Sequence, residues 1–171
     1  MADYSLLEFI RAPHPAPTAL AQRTEALANP GFGKVFSDHM VTIDYVEGLG
    51  WHNAKVGPRE PLSLDPATAV LHYAQEIFEG MKAYRHPDGS IWSFRPEENA
   101  ERMVRSSTRL ALPALEVPDF VQAVDALVTA DQRWVPDQEG EKSLYVRPFM
   151  FASEAFLGVR PAQHVTFMVI A

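Results

Sequence analysis

The segment SLYVRPF, Ser143 to Phe149, places a phenol and a guanidinium two residues apart. Residues two apart in a strand share a face, so Tyr145 and Arg147 stand together with Val146 turned away. Such a pair suits a carboxylate, because an arginine binds one bidentately and a tyrosine hydroxyl adds a donor. An exposed strand face whose arginine meets a surface glutamate accounts for the same triplet. On these residues alone that plainer reading is the stronger.

Three other groups invite chemistry. HYAQEIFEGMKAY, His72 to Tyr84, crowds two tyrosines, Phe78, two glutamates and Lys82 around one glycine. A desolvated lysine forms Schiff bases, but a lysine on a hairpin strand keeps its ammonium in water. His72 has no partner at metal-ligand spacing and reads as structural. Arg102, Arg105 and Arg109 fall at i, i+3 and i+7, one helix face that could hold a phosphate. The same three could be a solvated face paired with Glu98 and Glu101, and without more that is the better reading. GxGxxG, P-loop and His-Glu-x-x-His patterns are absent, Asp88-Gly89 is turn chemistry, and no metal site is expected.

The elements that must carry these residues are readable. Residues 12–31 open with three prolines and continue as a short helix ended by Asn29-Pro30-Gly31, an N-terminal arm. Lys34 to Val46 alternates as a strand, with Met40, Thr42 and Asp44 on one face and Val41, Ile43 and Tyr45 on the other. The Gly- and Pro-rich run from Gly48 to Ala69 reads as loop with a short strand at most. Asp88-Gly89 marks a hairpin within GMKAYRHPDGSIWSF. Pro96 at a first helical turn, followed by Glu97 and Glu98, starts a helix to about Leu110, with Met103, Leu110 and Val104 as its apolar stripe. A second helix follows Pro118, with Phe120, Val121, Val124, Leu127 and Val128 on one stripe. SLYVRPFMFAS and HVTFMVIA are two further strands. Together these predict an α+β fold, a mostly antiparallel sheet with two main helices packed on it. The last eight residues form an apolar strand with no turn residue after it, so the chain is expected to be a piece of a longer one.

Composition narrows the classes. The 171 residues suffice for one domain, and an apolar content of 47% is that of a globular chain. A net charge of −7 repels phosphate backbones, which argues against nucleic-acid binding. The absence of cysteine excludes disulfides and thiolate chemistry within these residues and fits a reducing compartment. No signal-peptide pattern opens the chain and no stretch is long and apolar enough for a membrane span, so a cytoplasmic location is expected.

Taken together, FGKVFSDHM, LHYAQEIFEGMKAY, FRPEENAERMVRS, DQRWVP, SLYVRPF and FLGVRP, in this order and spacing, resemble the branched-chain amino-acid aminotransferases. These are pyridoxal-phosphate enzymes of the class IV aminotransferase fold. The resemblance runs from about Pro30 to the last residue. It implies an arm over residues 1–30 and a small N-terminal α+β domain over 31–171. By the same resemblance, a C-terminal domain carrying the cofactor lysine is expected to lie outside this chain. It implies a homodimer that transfers the amino group of leucine, isoleucine or valine to 2-oxoglutarate in ping-pong fashion, acting on small amino acids and 2-oxo acids. The chain by itself is then not expected to be active.

By the same resemblance, Arg102 matches the arginine on the cofactor phosphate, and Phe78 matches a wall of the side-chain pocket. Tyr145 and Arg147 match the pair beside that pocket, where the second carboxylate of glutamate would be received. Phe32 matches a further aromatic wall. Tyr73, and Leu157 with Val159 in FLGVRP, match residues that reach into the neighbouring subunit's site. Ala155 departs from a proline that many members carry, and Lys82 stands where the family tolerates arginine. D-amino-acid aminotransferase and aminodeoxychorismate lyase share the scaffold, though SLYVRPF with FLGVRP favours the branched-chain enzymes. A non-catalytic dimerisation or ligand-binding module is the rival of another class.

Overall fold

Pro96 at the start of one helix and Asp88-Gly89 inside one hairpin set much of the architecture. The structure, a computed structural model, describes residues 6–137 and 142–171; the first five residues of the predicted arm lie outside it. In chain order the elements begin with β1 (Ile10–Arg11), α1 (Leu20–Ala28), β2 (His39–Val46) and β3 (Gly50–Pro58). Then come α2 (Ala69–Tyr73), β4 (Glu76–Phe78), β5 (Met81–Arg85) and β6 (Ile91–Ser93). The chain continues through α3 (Pro96–Arg109), α4 (Val117–Ala130), β7 (Leu144–Ala152) and β8 (His164–Ile170).

One sheet runs in the order β1-β3-β2-β8-β7-β5-β6, with β4 also on β7. Only the β1–β3 pair among these is parallel. Helices α3 and α4 pack on each other, and α4 lies across β2, β3 and β8. The core between helices and sheet holds Val41, Ile43, Val146, Met150 and Phe167 from strands and Met103, Phe120, Val124 and Leu127 from helices. The α+β expectation holds: a mostly antiparallel sheet with two main helices against one face.

The differences have local causes. The second strand begins at His39, not Lys34, and β3 is a full nine-residue strand where loop was expected. Its glycine and proline sit at its ends, while Ala54 and Val56 are buried at alternate positions. An extra residue on β3 between the pairs Thr42–Lys55 and Asp44–His52 makes a bulge. Asn53 takes it up with φ 53° and donates to Asp44 Oδ2 at 2.7 Å. In α3, Ala100, Met103 and Ser107 are buried, but Leu110 lies past the last helical residue and is exposed. The α4 stripe falls as its spacing predicts, with Val121 only half-buried.

The arm is tied down by polar contacts. Thr18 donates its amide and its hydroxyl to Asp38 Oδ1, and Trp134 Nε1 donates to Asp38 Oδ2 at 2.9 Å. His39 Nδ1 bonds Asp131 Oδ1 at 2.7 Å, while its Nε2 accepts the His14 amide at 3.2 Å. This fastens residues 14–18 beside the start of β2.

Candidate functional site

Strand β7 builds the site because its side chains alternate. Val146, Pro148 and Met150 are buried, whereas Tyr145, Arg147 and Phe149 stand half-buried on the opposite face, as the period of two requires. Pro148 has no N–H, so a partner strand cannot complete its ladder there. The partner is accordingly split: β5 pairs with Leu144–Val146 and β4 with Phe149–Phe151. Glu79 and Gly80 bridge the gap, and the Glu79 amide donates to the Pro148 carbonyl at 2.8 Å.

On the open face, Tyr145 Oη accepts from Arg147 Nε at 3.2 Å and from Nη2 at 2.9 Å. The guanidinium lies over the Phe78 ring, 4.2 Å from its centroid, a cation–π contact. Phe32 meets the Tyr145 ring edge-on at 5.2 Å. Phe32, Phe78, Tyr145 and Arg147 thus form one cluster. A cavity of about 710 Å³ adjoins it, lined by Phe32, Tyr145, Arg147, Lys82, Leu144 and Ile170 among others. The surface glutamate that would explain Arg147 plainly is not there: among the described residues no carboxylate pairs with it.

On the helix side of the same segment, Glu79 is 3% exposed. A buried carboxylate needs partners. Arg102 supplies two, Nε at 2.7 Å and Nη2 at 2.6 Å, and Asn99 Nδ2 a third at 2.8 Å. The hydrogen bonds and charge of Glu79 hold the Arg102 guanidinium pKa above its ordinary value. The three arginines therefore part company. Arg105 approaches Glu101 at 3.9 Å, Glu98 is taken by Arg95, and Arg102 faces the sheet. The helical spacing alone does not show this partition, and Glu79, Asn99 and Gly80 escaped the sequence reading. The visible sign was that Glu79 alternates with Phe78 and Gly80, as Val146 alternates with Tyr145 and Arg147.

The remaining predicted residues stand elsewhere. Tyr73 ends α2 and sits 6.5 Å from Phe156, ring to ring. Leu157 is 65% and Val159 100% exposed, and neither they nor Tyr73 line the cavity beside Tyr145. His72 Nε2 donates to the Pro66 carbonyl at 2.8 Å, a structural role, and Lys82 is exposed.

The loop carrying Leu157 and Val159 is closed by Glu154. Its carboxylate accepts from Arg160 at 2.6 and 3.0 Å and from the Gln163 amide at 2.7 Å. The hydrogen bonds from Arg160 come first among the causes holding its pKa below the usual 4.5. A lowered folded pKa gives a contribution present above the unfolded value and lost as pH falls through the folded one. Exchange protection of the Gln163 amide is therefore expected to stay level above pH 4.5 and to drop below it. In Glu154→Gln that acid-side drop disappears, and a drop of equal size in the variant would refute the assignment.

No family model matches the chain. A probable branched-chain-amino-acid aminotransferase of Streptomyces coelicolor is 59% identical over 159 residues, 93% of this chain and 44% of that protein. The branched-chain-amino-acid aminotransferase of Mycolicibacterium smegmatis is 53% identical over 165 residues, 96% of this chain and 45% of that protein. The chain thus spans less than half the length of these curated relatives. Among solved structures, the Escherichia coli branched-chain amino acid aminotransferase superposes with a TM-score of 0.59 at 21% identity, over 78% of this chain and 38% of that one. The branched-chain aminotransferase of the archaeon Thermoproteus uzoniensis, solved with norvaline, gives 0.56 at 21% identity, over 77% and 40%. At that identity the likeness shows the fold, and the curated relatives are 59% and 53% identical over nearly the whole of this chain: in sequence and in fold alike, it is similar to the branched-chain-amino-acid aminotransferases.

Proposed function

We propose that the chain is the N-terminal part of a pyridoxal-phosphate-dependent branched-chain amino-acid aminotransferase, exchanging amino groups between leucine, isoleucine or valine and 2-oxoglutarate. The carrying observation is Arg147, a half-buried cation set between the Phe78 ring and the Tyr145 hydroxyl with no carboxylate of its own among the described residues. A substrate carboxylate completes that arrangement, and the Phe78 and Phe32 rings offer aliphatic side chains an apolar wall. The same pocket then accepts both kinds of substrate. With leucine bound, Arg147 keeps the Tyr145 hydroxyl and the Phe78 ring, which avoids an uncompensated buried charge.

Arg102 fits a cofactor phosphate. Two of its five N–H groups are committed to Glu79, its side chain is 59% exposed, and the remaining donors include a forked pair. Pyridoxal phosphate, where bound, supplies the electron sink for amino-group exchange. Tyr73, Leu157 and Val159, outside the cavity and exposed in the single chain, belong in this reading to the neighbouring subunit's site in a homodimer.

The test is a substrate profile of the protein at its natural encoded length. Leucine with 2-oxoglutarate is expected to turn over well and D-alanine poorly; the reverse order would overturn the assignment. Tyr145→Phe, which removes one hydroxyl partner of Arg147, is expected to raise the KM for 2-oxoglutarate about fivefold while leucine changes less than about twofold. Equal changes for both would remove the carboxylate role from this pair.

A further inference from the structure

We propose that Glu79 is a positioning residue for the phosphate-binding arginine, and that the Phe78-Glu79-Gly80 segment couples the phosphate end of the site to the substrate end. The inference rests on the reading of Arg102 given above.

Three consecutive residues serve two faces of the sheet. Phe78 and Gly80 are exposed on the open face, while Ile77 and Glu79 are buried toward the helices. Glu79 takes Arg102 Nε and Nη2 on its two oxygens, one N–H to each. A carboxylate and a guanidinium matched edge to edge have a single planar arrangement, so the direction of the free donors on Arg102 follows from where Glu79 is fixed. Glu79 is itself fixed three times. Asn99, one turn before Arg102 on α3, donates to its Oε2, its amide is bonded to Pro148, and the surrounding core leaves it 3% exposed. An arginine whose rotamers are already restricted loses less entropy when an anion arrives.

The substrate end is built from the neighbouring positions. The Phe78 ring lies under Arg147, and Gly80 leaves the space that Tyr145 fills: a Cβ there would stand 2.5 Å from Tyr145 Oη. Because Phe78 and Gly80 flank Glu79 in the chain, a displacement of Glu79 moves both. A plain structural ion pair would support the fold without distinguishing one ligand from another. A positioning residue affects ligands that carry the phosphate and spares those that lack it.

The experiment compares the affinities of pyridoxal 5'-phosphate and of pyridoxal, read by visible absorbance, in the protein at its natural encoded length. The readout is the ratio of the two. Arg102→Ala is expected to lower that ratio at least tenfold, and Glu79→Gln, which keeps shape but loses the charge and one acceptor, about tenfold. Asn99→Ala, which loosens Glu79 without touching Arg102, is expected to lower it about threefold and guards against a misfolded Glu79 variant. Glu79→Asp restores part of the ratio because it keeps the charge. Should Arg102→Ala lower the ratio while Glu79→Gln and Asn99→Ala leave it unchanged, the positioning role is refuted and the Arg102 assignment stands. An unchanged ratio in Arg102→Ala overturns both.

Discussion

Gly80→Ala is expected to weaken the handling of 2-oxoglutarate by roughly 100-fold in kcat/KM, with a fold that survives. The added methyl would meet Tyr145 Oη at 2.5 Å and the adjoining ring carbons at 3.2 and 3.3 Å, so the ring must move. It moves as a unit, since a phenol has no flexible tail to yield, and Phe32 bounds it on another side at 5.2 Å. The hydroxyl that accepts both Arg147 bonds leaves with it. Both groups are then misplaced, which is why the effect exceeds that of Tyr145→Phe, where the ring stays. The backbone is not the obstacle, because Gly80 is not among the residues of positive φ. Leucine turnover is expected to fall about tenfold less than 2-oxoglutarate handling, because Phe78 and the apolar wall remain. Steady-state kinetics on both substrates, with circular dichroism to confirm the fold, decides it. A variant with wild-type kinetics for 2-oxoglutarate would remove Tyr145 and Arg147 from the carboxylate site.

How far these residues were legible before the structure depends on the range of the interaction that places them. Tyr145 and Arg147 share a face because strands alternate, a rule that needs nothing beyond Tyr145-Val146-Arg147 itself. Helices α3 and α4 and the hairpin at Asp88-Gly89 were readable because proline at a first turn and Asp-Gly in a tight turn act over a few residues. Strand β3 was missed because its glycines and proline looked like loop, although they sit at its ends, and Asn53 in a bulge broke the alternation. The state of Arg147 was not legible: whether an arginine finds a glutamate depends on strands distant in sequence. The family resemblance, and not the spacing, singled out Arg102 from Arg105 and Arg109. The structure adds Glu79, twenty-three residues away in the chain, as the group that separates them. Tyr73, Leu157 and Val159 carry no local signal of function at all, and in the single chain they stand outside the cavity.

The substrate end of the site, around Tyr145 and Arg147, lies on one face of the sheet and is backed by what packs on the other, so the helix-side core governs stability and reaches that end through the strands. Phe120 on α4 is 1% exposed and meets Phe167 of β8, ring centroids 5.8 Å apart. Phe120→Ala is expected to cost about 3–5 kcal/mol, the transfer of the ring plus the cavity it leaves. The neighbours collapse poorly into that space, because Val124, Leu127 and Phe167 are fully buried and already hold their own positions. A domain of this size has only about 5–15 kcal/mol in total, so the substitution removes a large part of it and lowers the Tm by roughly 10 °C. Phe149→Ala, half-buried on the open face and stacked on Phe151 at 6.0 Å, is expected to cost about 1 kcal/mol, since its surroundings are partly open. Urea denaturation of the two variants measures the contrast. Equal losses would mean that the open face is packed as tightly as the helix side, and the space beside Tyr145 and Arg147 would then not be available to a substrate.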